Sequence, residues 1–173
     1  MFFNFVVRDI LFFALVYLLW QWLAPLSAEQ GLLADFVGVA LGGLVALSFH
    51  LVHEWGHVAG GLLSHSKMTV APSMQALSLM TYHSTGNSKA QFMLMSVLGF
   101  AATGLVVWFS YTQLPDGLFA SRIARGFSLV QVFLAIVIEL PLVAWALFGK
   151  SLPPLDKKLG RHDAEKAVSS EVV

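Results

Sequence analysis

The sequence predicts an all-α membrane protein with four transmembrane helices and both termini in the cytoplasm. Hydrophobic residues make up 57% of the 173-residue chain and charged residues only 12%, about half the charged share of a typical soluble domain. Four apolar runs are long enough to cross a hydrocarbon core of about 30 Å. The ten basic and ten acidic residues form no basic region for nucleic acid. Because cysteine is absent, a metal site must use nitrogen and oxygen ligands.

The predicted spans are residues 8–26, 35–64, 91–112 and 123–149. We interpret the first as a retained helix and not a cleaved signal peptide, because it carries Asp9 near its start and Trp20 and Trp22 near its end. The sequence divides into a membrane domain, residues 1–150, and a polar cytoplasmic tail, residues 151–173, which we expect to be poorly ordered.

Basic residues predict the orientation of these spans. Eight fall on one side of the membrane: Arg8, Lys67, Lys89, Lys150, Lys157, Lys158, Arg161 and Lys166. The other side holds only Arg122 and Arg125. Since lysine and arginine concentrate in cytoplasmic loops, the termini and the 65–90 loop are predicted to be cytoplasmic, in a multi-pass protein of an inner or plasma membrane.

One face of the second span carries four ionisable residues: His50, His53, Glu54 and His57. At 100° per residue they share an arc of about 100°, and such residues inside a membrane indicate function. Gly43 and Gly60 lie on the same face and would let a neighbouring helix approach closely. We therefore expect this face to contact protein. The bulky face with Leu51 and Trp55 is expected to contact lipid.

Residues 53–57 form the pattern HExxH. Histidines four residues apart on a helix can both reach one zinc ion at about 2.0 to 2.1 Å. Glu54, directly after the first histidine, is placed to take a proton from water that the zinc activates. Two alternatives stay open: a hydrogen-bonded polar network that holds helices together, and haem ligation by a histidine, which leaves Glu54 without a role.

A catalytic zinc usually has three protein ligands. Glu139 in the fourth span is the preferred third ligand, because Pro141 should disturb the helix beside it and free backbone carbonyls. His50 and His83 are the alternative ligands. His50 is more readily interpreted as a hydrogen-bonding residue next to the site.

These features resemble the site-2 protease family of intramembrane zinc metalloproteases. The matching parts lie within residues 40–149: HEWGH in a membrane helix, a following cytoplasmic segment, the third span SVLGFAATGL and an acid in the next span. The family has a proline after the glycine of the third span, whereas Phe100 follows Gly99 here. Gln131 stands eight residues before Glu139, where the family has asparagine and aspartate, and is a candidate residue beside the site. The resemblance implies a zinc site and hydrolysis of membrane peptides.

The loop between the second and third spans is predicted to be extended and β-hairpin-like. Residues 74–82 alternate in polarity, and Pro72 stands at a potential turn. An extended segment beside the zinc could bind a substrate as an added strand. Equally, it could pack on the ends of the helices.

Two functions are compatible with this pattern. The first is an intramembrane zinc metalloprotease in which Glu54 is the general base, acting on a membrane protein or peptide in the lipid bilayer. The second is a non-proteolytic, metal-binding subunit or assembly factor of a larger membrane complex. The small size and the altered third-ligand motif favour the second function. The intact Glu54 favours the first, since a structural zinc site needs no base.

The orientation is testable with reporter fusions. A reporter fused after Val173 and one inserted near Asn87 should both report the cytoplasm, and one near Gln30 the opposite side, because of the excess of basic residues on the first side. A tail on the far side would place HExxH in the other half of the bilayer and contradict the prediction.

Overall fold

The computed structural model describes residues 2–153, and four helices in this part of the chain are long and apolar enough to cross a membrane. They are Phe2–Leu23, Leu32–Leu63, Lys89–Thr112 and Phe119–Phe148. The predicted helical class and the presence of four helices of membrane-spanning length and hydropathy are therefore confirmed. The predicted tail lies outside the described residues from residue 154 onward, and the side on which the termini lie stays a prediction.

The first helix, α1 (Phe2–Leu23), begins well before the expected residue 8. Arg8 and Asp9 lie inside it and do not flank it, and Asp9 is only 1% exposed. Charged side chains are accepted within this apolar helix because both form tertiary polar contacts. The helix therefore starts earlier than predicted, because its interior accommodates these two charged residues.

The second helix, α2 (Leu32–Leu63), is central and packs against α1, α3 (Lys89–Thr112) and α4 (Phe119–Leu134). Two pairs of glycines four residues apart allow this: Gly38 and Gly42 face α4, while Gly56 and Gly60 face α3. A Cβ at any of the four would lie within 2.7 Å of a neighbouring atom. Small residues at this spacing let helices approach closely in membranes. The expected contribution of Gly43 is wrong, because its surroundings are open.

Leu51 and Trp55 of the bulky face of α2 contact protein, contrary to expectation. Leu51 is 4% exposed. The Trp55 ring meets the Phe2 ring edge-on, with 5.8 Å between the centroids, and its Nε1 donates to Asp9 at 2.8 Å. The reason is that α1 packs on this side and covers it.

Two short strands pair antiparallel between α2 and α3: β1 (Met68–Val70) and β2 (Met80–Tyr82). Residues 71–79 connect them and contain no further strand. The strand that ends at Tyr82 is thus shorter than the alternating polarity of residues 74–82 predicted. One reason is that the carbonyls of Met74 and Ala76 accept hydrogen bonds from Arg8 and not from a neighbouring strand.

The fourth span is interrupted where Pro141 was expected to disturb it. A π-helical turn, Ala135–Glu139, separates α4 from α5 (Leu140–Phe148). Proline lacks an N–H and its ring collides with the carbonyl four residues earlier, so the chain widens before it. Turns of this kind inside helices occur frequently at functional sites. Here the turn ends at Glu139.

Several elements meet at one end of the bundle. Arg8 joins α1 to the β1–β2 connection, and Lys89 Nζ donates to the carbonyl of Gly149 just after α5. Tyr82 of β2 also packs in one buried cluster with Val143 and Ala146 of α5, so the start of α1, the two strands and α5 are neighbours. HExxH lies in the half of α2 nearest to them.

The glycine contacts predict a matched pair of substitutions. Gly60→Val should destabilise the fold by about 1 to 3 kcal/mol or more, because its side chain would meet the backbone of α3. Gly43→Val adds the same β-branched residue to the same helix where space is open, and should change stability little. Thermal unfolding in detergent measures both. Equal shifts in Tm would contradict the α2–α3 packing.

Candidate metal centre

The two histidines of HExxH and Glu139 meet at one point. The Nε2 atoms of His53 and His57, one turn apart on α2, are 3.1 Å apart. Glu139 Oε1 lies 3.0 Å from Nε2 of His53, and its Oε2 lies 3.5 Å from Nε2 of His57. Within residues 2–153, this is the group of metal-ligating side chains that lie close enough to hold one ion. The structure therefore brings the three predicted ligands together.

The separations between these donor atoms fit a small tetrahedral ion. Two ligand atoms bound to zinc at about 2.05 Å with a tetrahedral angle lie about 3.3 Å apart. The two Nε2 atoms are 3.1 Å apart, and each imidazole lies near a different oxygen of Glu139, at 3.0 Å for His53 and 3.5 Å for His57. Glu139 Oε2 is also buried without a hydrogen-bond partner in the described part of the chain. A cation at this point would satisfy that oxygen.

The helix α3 orients both imidazole rings. Nδ1 of His53 lies 2.8 Å from Thr103 Oγ1 and 3.2 Å from the carbonyl of Gly99. Nδ1 of His57 lies 3.2 Å from the carbonyl of Met95. A carbonyl only accepts hydrogen bonds, so each Nδ1 carries the proton. Both Nε2 lone pairs are then directed toward Glu139, the arrangement usual for metal-binding histidines.

Gly99 allows the His57 ring to lie against α3. A Cβ at this position would be 2.5 Å from Nδ1 of His57 and closer still to Cε1. Any side chain would push the ring away from the other ligands. The glycine that the sequence offered only as a point of family resemblance therefore has a physical role in placing a ligand.

Glu54 is separate from the three ligands. Its Oε2 accepts a hydrogen bond from the backbone N–H of Leu79 at 3.3 Å. It lines the same cavity as His53, His57 and Glu139. The two carboxylates of the site are thus placed differently, one between the imidazoles and one beside them.

The cavity next to the ligands has a volume of about 240 Å³ and a mainly apolar lining. Met68, Met80 and Met95 contribute to it from β1, β2 and α3. Methionine is unbranched and adapts to varied shapes. Tyr82 also lines the cavity, and burial raises its pKa to about 12, so its phenol stays neutral at physiological pH.

The remaining candidate residues lie outside the ligand group. His50 stacks near His53, with 6.3 Å between ring centroids, which places it beside the site. Nε2 of His83 lies 3.1 Å from Thr69 Oγ1 on the strand pair. Gln131 has a buried Nε2 without a hydrogen-bond partner among residues 2–153, so it does not donate to the ligands there.

The hydrogen-bond acceptors on α3 were not predicted from the sequence. Met95, Gly99 and Thr103 are spaced four residues apart, like the two histidines, and therefore form one stripe along the helix. That spacing is visible in the sequence. Nothing in the sequence, however, indicates that this stripe is the one that faces His53 and His57.

No protein-family model, curated protein or solved structure matches this chain. The family resemblance therefore stays a hypothesis based on the sequence motifs.

The contact between Thr103 and His53 predicts a change in metal affinity. Thr103→Val keeps the side-chain shape but removes the hydroxyl, so Zn²⁺ affinity should fall about tenfold or more. Thr103→Ser keeps the hydroxyl and should bind within a few-fold of the wild type. Competition with a chelator measures both affinities. Wild-type affinity in Thr103→Val would mean that the Gly99 carbonyl alone holds the ring.

Proposed function

We propose that this protein is an intramembrane zinc metallopeptidase that hydrolyses a peptide bond in or near the membrane. The main support is a set of three ligand atoms gathered at one point, with a separate carboxylate, Glu54, in the same cavity. Two imidazoles and one carboxylate are a donor set typical of catalytic zinc. The resemblance of HEWGH and its surroundings to the site-2 protease family points to the same chemistry.

His53, His57 and Glu139 would hold the metal. Zinc in such a site supplies Lewis acidity, which lowers the pKa of water to about 7 and polarises a carbonyl. Glu54 acts as general base: it accepts a proton from the attacking water and passes it to the amide nitrogen. The C–N bond then breaks to give a carboxylate and an amine. The Leu79 N–H keeps the Glu54 carboxylate oriented during these transfers.

The surroundings of the site support a membrane substrate. The ligands lie on helices long and apolar enough to cross a bilayer, and the adjoining cavity is mainly apolar. An apolar peptide segment from a membrane protein would enter such a cavity with little loss of hydration. The lipid bilayer and a membrane-embedded polypeptide are therefore the proposed partners.

A metal-binding subunit or assembly factor of a larger membrane complex is the second candidate. It is favoured by the departures from the family pattern, since Phe100 replaces a proline and Glu139 replaces an aspartate without a following glycine. In this case Glu54 would have no chemical role. The two functions share the metal site and differ in the need for a base.

Two carboxylate variants separate these functions. Glu54→Gln should retain zinc and lose at least about 100-fold of the cleavage rate, because an amide cannot accept the proton of water. Glu139→Ala should weaken zinc binding, because one of three protein ligands is lost. Zinc content and cleavage of membrane peptides are measured for both variants and the wild type.

Two further variants serve as controls. His53→Ala should lose the metal, and Glu29→Gln, in the exposed connection after α1, should leave zinc content and cleavage unchanged. Wild-type cleavage in Glu54→Gln would overturn Glu54 as the general base, whereas a zinc-loaded wild type that cleaves no membrane peptide would overturn the peptidase in favour of the subunit. Wild-type zinc affinity in Glu139→Ala would move the third ligand to another residue. A wild-type protein without zinc would contradict both functions.

A further inference from the structure

A charged pair in α1, with Asp9 buried and Arg8 partly buried, lies outside the ligand group. Arg8 Nε donates to Asp9 Oδ1 at 2.6 Å, and Asp9 Oδ2 accepts from Trp55 Nε1 at 2.8 Å. Asp9 is 1% exposed. Burying an acid in an apolar helix bundle is costly, and ionisable residues retained there usually have a function. The proposed hydrolysis gives this pair no chemical role.

Arg8 connects α1 to the chain that borders the site. Its Nη1 donates to the carbonyls of Met74 and Ala76, at 2.6 and 3.1 Å. Phe5, also in α1, is 1% exposed and packs in one buried cluster with Leu79. We call residues 74–79 the covering segment. Hydrogen bonds from Arg8 thus attach the first part of this segment to α1, and packing with Phe5 attaches its last residue, Leu79.

The covering segment in turn contacts the proposed base. Leu79 is 2% exposed, and its N–H donates to Glu54 Oε2 at 3.3 Å. Trp55, the residue after Glu54, donates a hydrogen bond from its Nε1 to Asp9. Glu54 is therefore linked to α1 by two routes, one through the covering segment and one through its own helix.

We propose that Arg8 and Asp9 are positioning residues that hold the covering segment so that Leu79 keeps the Glu54 carboxylate in place. The planar guanidinium can donate to the carboxylate and to two carbonyls at once, whereas lysine is a point charge with a flexible stem. The catalytic consequence rests on the proposed function. The attachment of the covering segment is independent of the proposed function, because it can be measured without any hydrolysis.

The chain offers a matched control. Arg125 donates to the carbonyls of Ser110 and Leu114, at 2.9 and 2.6 Å, and pairs with Asp116 at 2.8 Å. It repeats the contacts of Arg8 with one carboxylate and two carbonyls, but between α3 and α4. Arg125→Gln therefore removes the same kind of contacts without touching the covering segment.

Hydrogen exchange tests the attachment in the full-length protein in lipid nanodiscs. Arg8→Gln should raise amide exchange in the covering segment, Leu79 included, at least tenfold, while zinc content stays at the wild-type level. Arg125→Gln should leave exchange in the segment unchanged. Arg8→Lys should give an intermediate rate, and it also provides a milder variant if Arg8→Gln folds poorly.

Steady-state cleavage tests the consequence for Glu54. Arg8→Gln should lower kcat about tenfold and change KM less than twofold, because the base is displaced while the apolar cavity is retained. Wild-type exchange in the segment of Arg8→Gln and Arg8→Lys would overturn the proposal, as would loss of zinc, which would indicate a general structural role. Raised exchange with a wild-type kcat would overturn the link to Glu54. If the wild type cleaves no peptide, the proposed function fails, and exchange alone decides the positioning.

Discussion

The close approach of α2 to α3 is the constraint on which the candidate metal site depends. Gly56 and Gly60 leave room for the backbone of α3, so the carbonyls of Met95 and Gly99 come within hydrogen-bonding distance of the histidines. A carbonyl oxygen has two lone pairs and can accept from a side chain as well as from its own helix. A wider separation of the helices would leave the imidazole N–H groups unpaired and the rings free to turn.

The third ligand depends on a second local feature. Pro141 prevents a regular helix from continuing, and the π-helical turn before it ends at Glu139. The side chain of Glu139 thus reaches both histidines from another span. A bound metal would join α2 to the last span through this contact. Ordering of the fourth span and loading of the site would then be coupled, because metal-binding free energy adds to folding free energy.

Two carboxylates in one cavity are given different surroundings by the fold. Glu139 lies between the imidazoles, where a cation would compensate its charge. Glu54 lies beside them and accepts from the backbone of Leu79. The first arrangement suits a ligand and the second a base. This difference between the two glutamates follows from the element that each carboxylate contacts, since the residue type is the same. In the proposed hydrolysis it would give α1 a part, since Arg8 is bonded to the segment that contains Leu79.

The sequence by itself determined the features that lie within one helix. Four spans follow from composition and length, and the ligand pair of HExxH follows from the helical repeat, which fixes side chains four residues apart on one face. The break beside Glu139 follows from the chemistry of Pro141. Only the tertiary structure decided that Glu139 and not His83 reaches the histidines, and that Trp55 faces α1 and not lipid. The reason is physical: contacts between helices depend on the rotation and depth of each helix, and apolar side chains that fit lipid also fit protein.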